Sequence, residues 1–279
     1  MQVLIGVYNN LTYTGEDPTT FGIFHIICLA VLAALTFVAC SVFKNSTDKT
    51  INKLTAIIWV TLVTLEVYKQ VIYTVELDGA VVSLDYSWYA FPFQFCSSPL
   101  YILPIIAFTK REKLRNCCLA YMMSFSFFAG LAVMIYPNDV FTETLGINYQ
   151  TMIHHGSQVL LGALYAVRYR QRMNKRFFLG GIKVFVVMVS VAMLMNVAVY
   201  RIFSVSGITE TFNMFYISPH FECTLPVLSI VWDMVPYVAF VCCYFFGFIL
   251  AALIVFSLLK ALGRAVKGSS KPEVVCSNN

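Results

Sequence analysis

Apolar runs long enough to cross a bilayer recur along this chain, and nearly all of its basic residues fall in every second gap between them. About 20 apolar residues span the hydrocarbon core as a helix. Runs of that kind occupy 21–43, 54–77, 88–109, 117–136, 149–167, 182–203 and 235–259. Lys44, Lys49 and Lys53 follow the first run, and Lys110, Arg111, Lys113 and Arg115 follow the third. Arg168, Arg170, Arg172, Lys175, Arg176 and Lys183 follow the fifth, and Lys260, Arg264, Lys267 and Lys271 the last. These are 17 of the 19 lysines and arginines, and the intervening gaps carry none. Basic residues concentrate on the cytoplasmic side of a membrane. The pattern therefore predicts an all-α integral membrane protein with seven transmembrane helices, its N-terminus outside and its C-terminus cytoplasmic.

The predicted organisation is an extracytoplasmic N-terminus over 1–20, a seven-helix membrane domain over 21–260 and a cytoplasmic tail over 261–279. Residues 1–20 hold no basic stretch of the kind that opens a cleavable signal peptide, so the first run reads as an anchor that stays. The chain is 59% hydrophobic and 12% charged, far from the balance of a soluble domain. Topology explains its net charge of +5, which argues nothing for nucleic acid. Nine cysteines, an odd number lying mostly at membrane depth, do not read as a disulfide framework. The segment 207–233 is too long for a turn and too broken by Pro219 and Pro226 for a span. It reads as a re-entrant piece or lid before the last helix.

Polar residues inside the runs locate a candidate site. Charge at membrane depth costs about 2.5–3.5 kcal/mol, so it normally faces the bundle interior with a partner. Lys69 lies three residues after Glu66 on one helical face, with Gln70 and Tyr73 extending that face. Given the direction of each run, these residues fall toward the outer side. So do Gln94, Cys96 and Ser97 of the third run, His154, His155 and Gln158 of the fifth, and Asn196, Tyr200 and Arg201 of the sixth. One polar cavity in the outer half of the membrane follows, with Asn213 and Tyr216 over its mouth. The third run carries Pro92, Pro99 and Pro104. Backbone freed by such breaks must be covered by protein or face a water-filled cavity. Cys96 with His154 or His155 pairs a nucleophile with a base. Lys69, Arg201 or Asn213 would hold a phosphate or an oxyanion. No metal site is expected, since no acidic ligand lies near the histidine pair in sequence.

Phe91-Pro92-Phe93-Gln94-Phe95-Cys96 with Leu100–Pro104, His154-His155-Gly156 closing in Leu164-Tyr165, and Asn213-Met214-Phe215-Tyr216 with Pro219 and Trp232–Pro236 resemble, in order, three motifs of one family. That family is the YwaF-like and transmembrane protein 164 family, and the resemblance covers nearly the whole chain. It implies a cysteine-dependent acyltransferase that moves fatty acyl chains between phospholipids, with Cys96 as acyl carrier and His155 and His154 as the histidine element. Two positions depart from the pattern. The histidine before the cysteine is Gln94, and a Gly-Pro-Trp-Pro element is reduced to Val235-Pro236-Tyr237.

The predicted function is thus a membrane lipid acyltransferase or lipid hydrolase, with Glu66, Lys69, Gln70, Gln94, Gln158, Tyr200, Arg201, Asn213 and Tyr216 around the substrate. No cofactor is expected, and membrane lipids are the expected partners and substrates. The competing readings are a seven-helix transporter or sensor using Glu66, Lys69 and Arg201, and a scaffold whose polar groups only cement helices.

Overall fold

The computed structural model describes residues 2–78 and 81–268. Lys271 and Cys276, with positions 269–279 of the expected tail, lie outside the described residues, as do 79 and 80 of an expected outer loop. Among the described residues the regular structure is helical apart from one short hairpin. Its helices are α1 (Gln2–Leu11), α2 (Ile23–Phe43), α3 (Asp48–Ile72), α4 (Pro99–Phe108), α5 (Glu112–Tyr121), α6 (Phe127–Ile135), α7 (Leu145–Arg168), α8 (Lys175–Ser206), α9 (Leu228–Met234) and α10 (Tyr237–Gly268). A π-helical turn, Met122–Ser126, joins α5 to α6, so that Glu112–Ile135 runs on as one span. Among the described residues five helices are long and apolar enough to cross a membrane: α2, α3, the α5–α6 span, α8 and α10 up to Gly263. The chain is an integral multi-pass membrane protein.

The helix ends follow local chemistry. Thr47 caps α3 by accepting from the Thr50 amide, and Asn174 caps α8 by accepting from the Phe177 amide at 2.9 Å. Gly207, with φ +71°, closes α8 in the left-handed conformation that glycine adopts without a Cβ penalty.

Helix α7 is the hub. Along it His154, His155, Gln158, Leu161, Leu164 and Tyr165 are all buried, while Tyr149 and Ile153 are exposed. It packs on α2, α3, α6, α10 and the π-helical turn. Its polar residues make it too hydrophilic to count as a span by hydropathy, yet neighbouring helices wrap it. Small residues set the crossing with α6. A Cβ on Gly130 would lie 2.7 Å from the His155 carbonyl oxygen, and one on Gly162 would lie 3.0 Å from the Met122 carbonyl oxygen. Close backbone approach of this kind is how helices associate where lipid competes for apolar surface.

Three expectations need correction. The second run was expected to continue to Leu77, but α3 ends at Ile72. Val75–Asp78 and Val81–Leu84 then pair as strands β1 and β2 of an antiparallel hairpin, with Val75 opposite Leu84. The β-branched valines favour that pairing, and it satisfies backbone that helix no longer covers. The third run is no continuous helix. Short 3-10 turns at Trp88–Ala90 and Phe95–Ser97 precede α4, only ten residues long. Pro92 and Pro99 account for the break, whereas Pro104 sits within α4. The last helix extends to Gly268, past the expected end at Leu259 and across the boundary drawn at 260.

The two ends of the bundle differ in chemistry. At one end Asp48 of α3 meets Arg115 of α5 and Arg168 and Arg172 near the end of α7. At the other, the N-terminal segment joins the hairpin and the loop before α7. Tyr8 Oη donates to the Val75 carbonyl, Tyr68 Oη donates to the Leu11 carbonyl at 2.7 Å, and Thr14 bridges Thr144.

Candidate functional site

The broken third segment exposes carbonyl oxygens that no helix covers, and side chains from neighbouring helices cover them instead. Gln70 Nε2 donates to the Ala90 carbonyl at 2.9 Å, and Tyr101 Oη to that of Pro92 at 2.7 Å. Trp59 Nε1 donates to the Leu100 carbonyl at 2.9 Å. The Cys96 carbonyl takes two donors from α7, His154 Nε2 at 3.0 Å and Gln158 Nε2 at 2.9 Å. Gln158 is fixed in turn by Ser126 of the π-helical turn, which donates to its Oε1 at 3.2 Å. Cys96 is therefore anchored through its own backbone to the histidine helix. The thiol itself is free and half-buried.

Those bonds fix the tautomers. A carbonyl only accepts, so His154 carries its proton on Nε2. His155 Nδ1 lies 2.8 Å from the Thr151 carbonyl and must donate there. In a neutral imidazole the second nitrogen is then an acceptor. His154 Nδ1 and His155 Nε2 are thus two basic lone pairs, both buried and without a hydrogen-bond partner among the described residues. His25 shows the contrast. It is fully buried, yet it accepts from the Phe21 amide at 2.9 Å through Nδ1 and reaches the Met134 carbonyl at 2.8 Å through Nε2. It is a satisfied structural histidine. Leaving a buried polar atom unpaired costs about 1–3 kcal/mol, so two such atoms on adjacent residues ask for a reason.

A third orphan joins them. Glu66 accepts through Oε1 from Gln70 at 2.7 Å and pairs there with Lys69 at 3.0 Å, but its buried Oε2 has no partner among the described residues. The Lys69 ammonium, held at Glu66 Oε1, brings a cation to this cluster. Above the end of α3, Tyr86 Oη donates to Gln70 Oε1 at 2.7 Å. Burial first, and then the Glu66 carboxylate, push this phenol up to about 12, so it keeps the proton it donates.

A groove of about 540 Å³ runs beside this cluster, lined by Trp59, Val63, Val67, Leu100 and Tyr101 with Glu66 and Gln70 as polar members. Its size lies in the range of small-molecule sites. Its walls suit an aliphatic chain, and its polar members carry the cluster's carboxylate.

The segment before α10 is tucked into the bundle. Phe212, Asn213, Met214, Phe215, Ile217 and Ser218 are buried. Side-chain amides hold it by imitating backbone. Asn196 accepts from the Met214 amide at 2.7 Å and donates to the Met214 carbonyl at 2.9 Å. Gln94 accepts from the Phe215 amide at 2.9 Å and donates to the Asn213 carbonyl at 3.1 Å. Phe215 and Tyr216 sit at φ 59° and 54°, a left-handed conformation that costs side-chain-bearing residues about 1–2 kcal/mol each.

The structure gathers Glu66, Lys69, Gln70, Cys96, His154, His155 and Gln158 around one place. Gln94 and Asn213 are near it but their polar atoms are committed to backbone. Asn213 donates to the Glu222 carbonyl at 3.0 Å and accepts from the Ser218 amide at 2.9 Å, so it holds the tucked segment. Tyr216 is half-buried beside them. Two residues fall away from the buried cluster. Arg201 is exposed, without hydrogen bond or ion pair among the described residues, and Tyr200 stacks on His220 with ring centroids 3.6 Å apart. Both lie near the C-terminal end of α8, where depth alone does not tell an inward from an outward face. Ser126 was not singled out from sequence, because nothing local separates it from Ser124 two residues earlier. Among the described residues no group of three His, Cys, Asp or Glu is placed to hold a metal ion.

The sequence pattern described as the TMEM164 family matches residues 20–260. No curated protein and no solved structure matches the chain.

Proposed function

The chain belongs to the TMEM164 family of membrane proteins, and from that premise we propose a seven-span acyltransferase that moves fatty acyl chains between phospholipids through a thioester on Cys96. The seven spans would be the five long apolar helices, the polar but enclosed α7, and the broken segment ending in α4. The N-terminus and hairpin would lie outside, and the basic end in the cytoplasm.

One observation carries the reading: the Cys96 carbonyl is held by two side chains of α7, one of them from a pair of buried histidines whose second nitrogens have no partner among the described residues. In the first half-reaction the thiol gives its proton to one of those nitrogens, His154 Nδ1 or His155 Nε2. The sulfur attacks the ester carbonyl carbon of a phospholipid, the C–O bond breaks, and the leaving alkoxide takes the proton. A lysophospholipid departs and the acyl chain stays as a thioester. In the second, a lysophospholipid hydroxyl gives its proton to the same nitrogen while its oxygen attacks the thioester. The C–S bond breaks and the sulfur recovers the proton. Water in place of the second alcohol would make the reaction a hydrolysis. Thiol and imidazole are not hydrogen-bonded at rest, and catalytic contacts commonly tighten only when substrate is present. The Lys69 ammonium would stabilise the thiolate and the developing oxyanion. The groove beside Glu66 would admit the acyl chain from the side.

The test uses detergent-purified full-length protein incubated with phosphatidylcholine bearing an alkynyl acyl chain. Label should attach to the protein, be released by hydroxylamine and vanish in Cys96→Ala. Labelling that survives this substitution overturns the proposal. The transporter reading predicts the reverse dependence, on Glu66→Gln rather than Cys96→Ala, measured as flux into proteoliposomes.

A further inference from the structure

A second cavity, of about 410 Å³, lies at the basic end and is lined by Lys44, Asn45, Arg168, Tyr169, Arg170 and Arg172. It belongs to none of the chemistry above. Its floor is the buried ring of Tyr169, which carries the guanidinium groups of Arg115, Arg168 and Arg172 at 5.1, 5.0 and 5.1 Å from its centroid. Three like charges around one ring repel, and Asp48 is what gathers them. It lies 3.0 Å from Arg168, 3.4 Å from Arg115 and a loose 3.9 Å from Arg172. Tyr169 Oη also donates to Asp48 at 3.1 Å. The other carboxylate here, Glu112, is largely exposed and 3.6 Å from Arg172. Lys44 and Arg170 have no acidic partner among the described residues, although both face the cavity. Five cations thus meet two carboxylates, leaving three positive charges in excess.

Excess basic residues at this end follow from topology. Their arrangement does not. A lysine or arginine that only marks the cytoplasmic side extends separately into water. Here Arg115 is buried and Arg168 and Arg172 are half-buried, all three set on one aromatic floor and pinned, with Arg168 Nε donating to the Ser46 carbonyl at 2.6 Å and Arg172 Nη1 to Asn116 Oδ1 at 2.7 Å. Pinned guanidinium forks suit the tetrahedral oxygens of a phosphate, and a doubly charged anion offsets most of the excess.

We propose that this cavity binds a phosphate dianion or phosphate monoester, with Lys44 and Arg170 as its uncommitted cations and Arg168 and Arg172 as its fixed ones. Two sources offer that group: the headgroup of an anionic phospholipid in the adjacent leaflet, and free phosphate.

The test uses full-length protein in neutral detergent with three probes: fluorescent phosphatidic acid, phosphatidylcholine and inorganic phosphate. Phosphatidic acid should bind at least about tenfold more tightly than phosphatidylcholine. The double variant Lys44→Gln/Arg170→Gln should lose roughly tenfold in that affinity. Neither residue holds Asp48, so its thermal midpoint and gel-filtration profile should match the parent. Arg170→Gln alone should give part of the loss. If inorganic phosphate displaces phosphatidic acid at comparable concentration, the group is read without its lipid; if it does not, the lipid is the ligand. Phosphatidic acid binding that the double variant leaves unchanged overturns the proposal, as does equal binding of both lipids with no phosphate binding. The readout is affinity, so it stands or falls apart from thioester formation at Cys96.

Discussion

At the scale of single residues, the histidine pair separates holding from proton transfer. His154 holds Cys96 through Nε2 and His155 holds its own helix through Nδ1, each leaving the other nitrogen free. Glutamine places an amide near the Nε2 position and asparagine places one near Nδ1. His154→Gln should therefore keep the bond to the Cys96 carbonyl while removing the lone pair on Nδ1, and His155→Asn should keep the bond to Thr151 while removing Nε2. Both variants should fold with near-parental thermal midpoints. The variant that removes the working base should lose roughly 100-fold or more in acyl transfer, the scale of general acid–base catalysis. His154→Asn, which loses the grip on Cys96, should lower stability as well. Glu66 has its own test. With Oε1 committed to Lys69 and Gln70, Glu66→Gln leaves a neutral side chain of the same shape beside an unpaired lysine. Removing one partner of a buried pair costs about 3–5 kcal/mol, and the partly exposed Lys69 brings that toward the lower end. Thermal unfolding in detergent reads it.

At the scale of elements, α7 works because α6 lets it come close. The Gly130 position touches the backbone of His155, and Gly162 touches the π-helical turn. A methyl at Gly130 pushes α7 away at the turn that carries His155 and Gln158. Gly130→Ala should cost about 1–3 kcal/mol, the usual penalty of overpacking, and reduce Cys96 labelling as the grip of Gln158 on Cys96 loosens. The tucked segment is the other device. Its left-handed pair Phe215 and Tyr216 persists because Gln94, Asn196 and Tyr244 hold the surrounding backbone, the last by donating to the Phe215 carbonyl at 2.9 Å. Gln94→Leu keeps the bulk and removes two of those bonds. Hydrogen exchange over 213–218 should then quicken while α8 and α10 stay protected, and uniform protection would mean that the amide does not hold the segment. Gln94 serves the backbone here because glutamine offers a donor and an acceptor at once.

At the scale of the whole molecule, the two ends of the bundle predict an orientation that glycosylation reads directly. Two N-x-S/T sequences lie at opposite ends, Asn10-Leu11-Thr12 by the hairpin end and Asn45-Ser46-Thr47 by the basic end. Expressed in a host with a secretory pathway, the protein should carry a glycan that Asn10→Gln removes and Asn45→Gln leaves in place; the opposite result inverts the bundle. The alternation of apolar runs with basic gaps by itself determined the membrane class and the approximate places of the long apolar helices. Each of those depends on composition along the chain, which a bilayer reads one segment at a time. The common level of Glu66, Cys96, His154, His155 and Gln158 was legible for the same reason. Their rotation about the helix axis was not, so Arg201 and Tyr200 were drawn into a site they do not enter. Only the tertiary structure decided which lone pairs stay free, which amides serve as backbone, and that Asp48 gathers three arginines on one tyrosine. These are distances between segments far apart in sequence, and they are fixed by packing.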